Sequence, residues 1–172
     1  MRRTLGALLA GGQARRFGAD KALARWRGKS LIEHAADALR PHCDRVVIVG
    51  RDRHDLRCVP DRPASGLGPL GGIAGALAHA SENGMESVLT APCDVPCPPH
   101  ELFEALRPAA CWCEEHPAFG RWPATLAPTL ASWLRTAEHR SIRAFARTVG
   151  AIPISVPTPI RDVDTPEDLA AL

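Results

Sequence analysis

The chain contains no tyrosine, and aromatic residues make up only 5% of it. No dense run of lysine and arginine with interleaved aromatics occurs, so a nucleic-acid surface has no footing. No stretch approaches the ~20 apolar residues needed to span a bilayer. The opening Met1-Arg2-Arg3-Thr4 and the apolar residues 5–10 imitate a signal peptide only faintly. The apolar part is too short and runs straight into Gly11, Gly12 and arginines. The expectation is therefore a cytoplasmic protein with neither membrane nor nucleic acid as partner. The six cysteines (Cys43, Cys58, Cys93, Cys97, Cys111, Cys113) are then expected as reduced thiols. Neither Cys93 with Cys97 nor Cys111 with Cys113 has the C-x₂-C spacing of structural zinc sites, which favours buried or half-buried free thiols over ligands. Two phosphate-binding signatures are also absent: G-x-x-x-x-G-K-[ST] and G-x-G-x-x-G.

A length of 172 residues, 45% hydrophobic and 23% charged, suits a single domain over residues 1–172 that buries a core without staples. The net charge of +2 hides an asymmetry. Residues 1–60 hold 13 Lys and Arg against 6 Asp and Glu, while residues 61–172 hold 8 against 13. A basic front half facing an acidic back half fits a phosphate cradle opposite metal-binding carboxylates, but the balance alone does not assign it.

Short β-branched apolar runs alternate with helical patterns, which predicts an α/β domain with a largely parallel sheet. Strands are expected over about 5–10, 45–50, 87–91 and 151–156. Ser30-Leu31-Ile32-Glu33 is a capping box opening a helix to about 39, closed by Pro41. Further helices are expected over 70–80, from Pro99 to about 106, over 126–134 and over 141–149. Residues 111–125 read as short strands or irregular structure over a pocket. Thr165-Pro166-Glu167-Asp168 is a helix start, with Thr as N-cap and Pro at N1.

The most informative stretch is Leu9-Ala10-Gly11-Gly12-Gln13-Ala14-Arg15-Arg16-Phe17-Gly18-Ala19-Asp20-Lys21. It follows the first strand, its glycines allow successive N–H groups to converge on an anion, and Arg15, Arg16 and Lys21 add side-chain charge. That combination suits a triphosphate. Asp61 opens a glycine-rich loop through Gly66, Gly68, Pro69 and Leu70 to Gly71 and Gly72, which lets backbone approach a flat ligand such as a base. Asp94 ends a buried strand, where ligands bind in open sheets. One hard carboxylate plus substrate phosphates is the usual way to hold Mg²⁺, although Asp94 could instead cap the helix near Pro99. Asp162 and Asp164 lie at i, i+2, on one side of an extended chain. Asp162 is preferred for the metal and Asp164 for capping assistance at Thr165. No Ser/His/Asp or Cys/His set stands out: His34 and His79 fall within helices and His116 stands beside Pro117.

In order and spacing these motifs resemble the molybdenum cofactor guanylyltransferase family, within the Mg²⁺-dependent nucleotidyltransferases, over nearly the whole chain. The resemblance also takes in His116-Pro117-Ala118-Phe119-Gly120-Arg121-Trp122-Pro123 as a pterin-side segment and Asp164-Thr165-Pro166-Glu167-Asp168-Leu169 as a C-terminal signature. It implies a three-layer α/β/α sandwich with a mostly parallel, Rossmann-like sheet of the nucleotide-diphospho-sugar transferase type. The implied reaction transfers GMP from GTP to the phosphate of molybdopterin or Mo-molybdopterin, with Mg²⁺ as cofactor. Other cofactor-biosynthesis proteins and molybdoenzyme chaperones are the implied protein partners. Catalytic roles fall on Lys21, Arg16 and Asp94. Nucleotide contacts fall on Leu9, Ala10, Gly11, Gly12, Lys21, Asp61, Gly68, Pro69, Leu70 and Asp94, and the metal on Asp94 and Asp162. The chain departs from the family pattern at Ala14, where Ser is usual, and at Asp162 and Asp164, where many members carry Asn. The nucleotide-contacting Asn after the second strand is also missing, with Gly50 or Arg51 near its place, and the chain is short around residues 107–113. A cytidylyl or sugar-phosphate nucleotidyltransferase, or a non-catalytic nucleotide or pterin carrier, are the alternatives.

Overall fold

A computed structural model describes residues 3–11, 21–51, 56–107 and 110–172. Within them the chain runs β1 (Thr4–Leu9), a hairpin of β2 (Arg25–Trp26) and β3 (Lys29–Ser30), α1 (Leu31–Leu39), β4 (Arg45–Val49), β5 (Arg57–Val59), α2 (Pro69–Glu82), β6 (Ser87–Pro92), α3 (His100–Ala105), β7 (Cys111–Cys113), β8 (Gly120–Pro123), α4 (Ala127–Thr136), α5 (Ile142–Thr148), β9 (Ile152–Ile154) and α6 (Pro166–Ala170). The main sheet has the order β5-β4-β1-β6-β8-β7-β9. Only β8 runs against its neighbours, so β7 and β9 again point the same way as β1, β4 and β6.

Every residue of β1 and β6 is buried, as strands covered on both faces must be. The alternation of side chains sorts them between two helical layers. Leu5, Ala7 and Leu9 pack with Val47 and Val49 towards Ile73 and Leu77 of α2, Leu130 of α4 and Phe145 of α5. Leu8 and Ile48 face Ile32 and Ala36 of α1, and Leu89 and Ala91 face Leu102 and Phe103 of α3. This is a three-layer α/β/α sandwich around a mostly parallel sheet. α2 can approach closely because Gly75 carries no side chain: a Cβ there would stand 2.1 Å from the Pro60 carbonyl oxygen.

The capping box at Ser30 and Glu33 forms as the sequence predicts, with Glu33 N–H donating to the Ser30 hydroxyl and the Ser30 N–H to the Glu33 carboxylate. α2 starts one residue earlier than expected, on Pro69 at its N1 position, and reaches Glu82. The expected strand 151–156 shortens to Ile152–Ile154. β5 and the β2–β3 hairpin lie outside the sequence reading, being too short to show a period. No helix of the described residues is long and apolar enough to cross a membrane.

Candidate nucleotide and metal site

β1, β4 and β6 end level: Leu9 pairs with Val49 on one side and with Pro92 on the other. Ala10 N–H donates to the Val49 carbonyl at 3.0 Å and Cys93 N–H to the Leu9 carbonyl at 3.1 Å. The segments after all three strands thus open onto one rim, the carboxyl-end crevice of a parallel sheet.

One half of the crevice is a cavity of about 440 Å³ lined by Leu9, Ala10, Gly11, Val49, Gly50, Arg51, Asp61, Ser65, Gly66, Gly68, Pro69 and Gly72. Its floor is backbone. Gly50 has φ +85°, and a Cβ on it would stand 2.6 Å from both N and Cα of Gly11, so the end of β4 tolerates no side chain there. Asp61 enters from the loop before α2. Its Oδ1 is buried without a hydrogen-bond partner among the described residues. A Cβ added to Gly71 or Gly72 would lie 3.4–3.6 Å from its carboxylate oxygens, which places the carboxylate against the first turn of α2. Burial pushes the Asp61 carboxyl above its ordinary range.

The other half is built around Asp94, just beyond β6. Its carbonyl accepts the N–H of the fully buried Val163 at 2.8 Å, which clamps the C-terminal segment beside it. Lys21 Nζ then lies 3.3 Å from Asp94 Oδ2 and 2.6 Å from Asp164 Oδ1. The Lys21 side chain is only 14% exposed. Burial pulls its pKa down, but the hydrogen bond to Asp164 and the charge of Asp94 together outweigh it, and the net shift is upward. The ammonium is charged at neutral pH.

Asp164, not Asp162, is the second carboxylate brought to this point. Asp162 is exposed and has no polar partner among the described residues. The reason lies in the start of α6. The Thr165 hydroxyl accepts from Asp168 N–H at 3.2 Å, and the Asp168 carboxylate accepts from the N–H groups of Thr165 and Asp164 at 2.8 and 2.9 Å. That cap uses only the backbone of Asp164 and leaves its side chain to Lys21. Asp94 does not cap α3, whose N-cap Pro99 receives no side-chain bond.

A divalent cation fits this donor set. Asp94 Oδ1 is buried without a partner among the described residues, and Asp94 shares Lys21 with the second hard carboxylate, Asp164. The described residues hold no group of three or more His, Cys, Asp or Glu that could hold an ion. One or two carboxylates completed by substrate phosphate oxygens are the usual arrangement for Mg²⁺.

Of the remaining expected contacts, Leu9, Ala10, Gly11, Asp61, Gly68 and Pro69 line the cavity, whereas Gly12 and Arg16 lie outside the described residues. Leu70 differs from expectation: its side chain is wholly buried among Ile73, Leu77 and the sheet, because the helix face it occupies is the one turned to the core. Gly50, Arg51, Ser65 and Gly66 join the lining beyond the assigned contacts. Gly50 had a legible sign, a glycine closing an apolar strand. β7 and β9 end on the same rim, so the 114–119 loop stands there too. Within it the His116 ring packs edge-on against Phe119 at 5.5 Å, and its Nδ1 is buried without a partner among the described residues. No cysteine is among the residues lining the cavity beside Asp61. Burial pushes the Cys43 and Cys93 thiols up to about 12, and Cys111 and Cys113 are buried in the core.

Residues 6–151 match the family model described as the MobA-like NTP transferase domain. The molybdenum cofactor guanylyltransferase of Rhodobacter capsulatus is 36% identical over 180 residues, 98% of this chain and 94% of that one. The enzyme of the same name from Rhizobium leguminosarum bv. trifolii is 32% identical over 186 residues, 96% and 89% of the two chains. Among solved structures, molybdopterin-guanine dinucleotide biosynthesis protein A of Archaeoglobus fulgidus superposes with TM-score 0.71 at 22% identity, covering 97% of this chain and 95% of that one. A nucleotidyl transferase of Methanothermobacter thermautotroptrophicus gives 0.72 at 14% identity, covering 98% and 95%. At those identities the structures speak for the fold.

Proposed function

Because the chain belongs to the MobA-like NTP transferase family, we propose that it transfers GMP from GTP to the phosphate of molybdopterin or Mo-molybdopterin. The curated relatives are named molybdenum cofactor guanylyltransferases, which supports a guanylyl transfer. Residues 1–172 then act as one nucleotidyltransferase unit. The observation that carries the reading is the juxtaposition of a cavity lined by Asp61, whose Oδ1 has no partner among the described residues, with a lysine held between two further carboxylates. Guanine offers two adjacent donors, a ring N–H and an amino group, which match the two oxygens of Asp61. Cytosine has no such donor pair on its pairing edge.

The acceptor oxygen of a phosphomonoester is already ionised near neutral pH, so no general base is required. It attacks the α-phosphorus in line; a new P–O bond forms as the α–β bridging bond breaks, and pyrophosphate carries away the electron pair. Lys21 offers its charge to the phosphates, and the resemblance gives Arg16 and the loop amides the same duty. Mg²⁺ held by Asp94 and Asp164 would supply charge neutralisation across the phosphate oxygens. Leu9, Ala10, Gly11, Gly68 and Pro69 seat the base and ribose. The resemblance gives the acceptor side to residues 116–123, which begin in the 114–119 loop on the same rim.

The test is pyrophosphate release with molybdopterin, Mg²⁺ and either GTP or CTP, with mannose 1-phosphate as a rival acceptor. GTP with molybdopterin is expected to exceed either alternative by tenfold or more, about 1.4 kcal/mol of discrimination. Preference for CTP, or for the sugar phosphate, would reassign the substrate. GTP binding without turnover would point to a carrier.

A further inference from the structure

Lys21, to which the proposed function gives a phosphate role, stands against two carboxylates. Its ammonium bridges Asp94 Oδ2 at 3.3 Å and Asp164 Oδ1 at 2.6 Å. We propose that Lys21 is a resident counter-ion for the metal carboxylates, exchanged for a divalent cation as the phosphates of the nucleotide arrive. The inference rests on the reading of Asp94 and Asp164 as metal ligands.

Two carboxylates converging on one point repel each other, and Asp94 is half-buried, where that repulsion is less screened than in water. The shared ammonium relieves it. A hard divalent cation at the open Asp94 Oδ1, roughly 2.0–2.1 Å from its oxygen ligands, would draw on the same carboxylates that Lys21 already neutralises. It would also set a second positive charge close to the ammonium. Metal arriving alone is therefore opposed by Lys21, which must give way from carboxylates that now balance its charge. Metal arriving with a triphosphate meets a different balance, because Lys21 can transfer to phosphate oxygens as the ion takes the carboxylates. Charge stays paired throughout. The site thus discriminates against free metal and couples metal to nucleotide binding, and by linkage each raises the affinity for the other.

The test titrates Mn²⁺, as a paramagnetic oxygen-seeking probe, into the nucleotide-free protein and counts free ion by electron paramagnetic resonance. Lys21→Met is expected to bind Mn²⁺ about tenfold more tightly than the parent while binding metal-free GTP less tightly. Lys21→Gln should move both affinities in the same directions, and Lys21→Arg, which keeps the charge, should restore weak Mn²⁺ binding. These opposite signs are what a merely structural lysine would not produce. Unchanged or weaker Mn²⁺ binding in both the Met and Gln variants overturns counter-ion exchange. Adding Asp94→Asn to Lys21→Met should abolish the gain; a gain that survives overturns the exchange at this site and the metal assignment together. Asp94→Asn alone separates the two ideas. Loss of metal-dependent turnover with no Mn²⁺ gain in Lys21→Met refutes only the exchange.

Discussion

Asp61 and Asp94 each bury an oxygen without a partner among the described residues, yet their surroundings assign them different work. Asp94 has Lys21 and Asp164 beside it; Asp61 has glycine backbone and a cavity wall. Burial raises the Asp61 carboxyl above the ordinary value of 3.8. A carboxyl raised in the folded state favours folding while protonated, and that contribution is lost as pH rises from about the ordinary value through the raised one. At neutral pH the ionised side chain therefore costs stability. Asp61→Asn is expected to melt higher than the parent at pH 7 and to lose the parent's decline across that acidic window, as read by thermal melts in a pH series. The same variant should bind GTP roughly tenfold or more weakly, since hydrogen bonds to a charged acceptor are worth about 1.5–3 kcal/mol. Calorimetry on the folded variant checks this.

At the scale of elements, the start of α6 decides which C-terminal carboxylate reaches the crevice. Val163 is pinned by the Asp94 carbonyl, and the Thr165–Asp168 box holds the next turn. Between those anchors Asp164 has one orientation towards Lys21, whereas Asp162 lies outside the pinned segment. Asp164→Asn should raise the Mg²⁺ concentration for half-maximal pyrophosphate release several-fold, with little change in melting temperature. Asp162→Asn should alter neither. Thr165→Ala should instead lower stability by roughly 0.5–2 kcal/mol, the usual worth of an N-cap. A metal requirement that follows Asp162 would return the ligand role to that residue.

For the whole molecule, the apolar layers supply cohesion and the crevice rim supplies chemistry. Trp122 on β8, Phe145 on α5 and Phe119 just ahead of β8 are fully buried. Full burial of a large apolar side chain contributes about 1.5–3 kcal/mol. Apolar packing, different in kind from the carboxylates of the rim, holds those layers. Chelating divalent metal should therefore stop pyrophosphate release while leaving the melting temperature of the nucleotide-free protein within a degree or so. A large loss of stability on chelation would show a structural ion instead.

The buried runs of β1, β4 and β6, the capping box at Ser30, the helix start at Thr165 and the glycine-rich approach to Asp61 are legible in the chain itself, because each arises between residues a few positions apart. Periodicity and capping are short-range physics, so they predicted a mostly parallel α/β domain and set Asp94 at a strand end. Other features lay beyond that range. β5 spans Arg57–Val59, too few residues to display alternation, and acquires its partners only by pairing with β4. The reversal of β8 depends on which sheet edge remains open once β1 and β6 have paired. Leu70 belongs to a glycine-rich motif by sequence and to the core by helix rotation. The choice between Asp162 and Asp164 required a lysine 143 positions away from Asp164 to arrive at the same point. Local sequence determined which groups could bind phosphate, base or metal. Tertiary structure decided which of them meet, because that depends on long-range closure, where the burial of Val163 and the pairing of distant charges outweigh any preference carried by neighbouring residues.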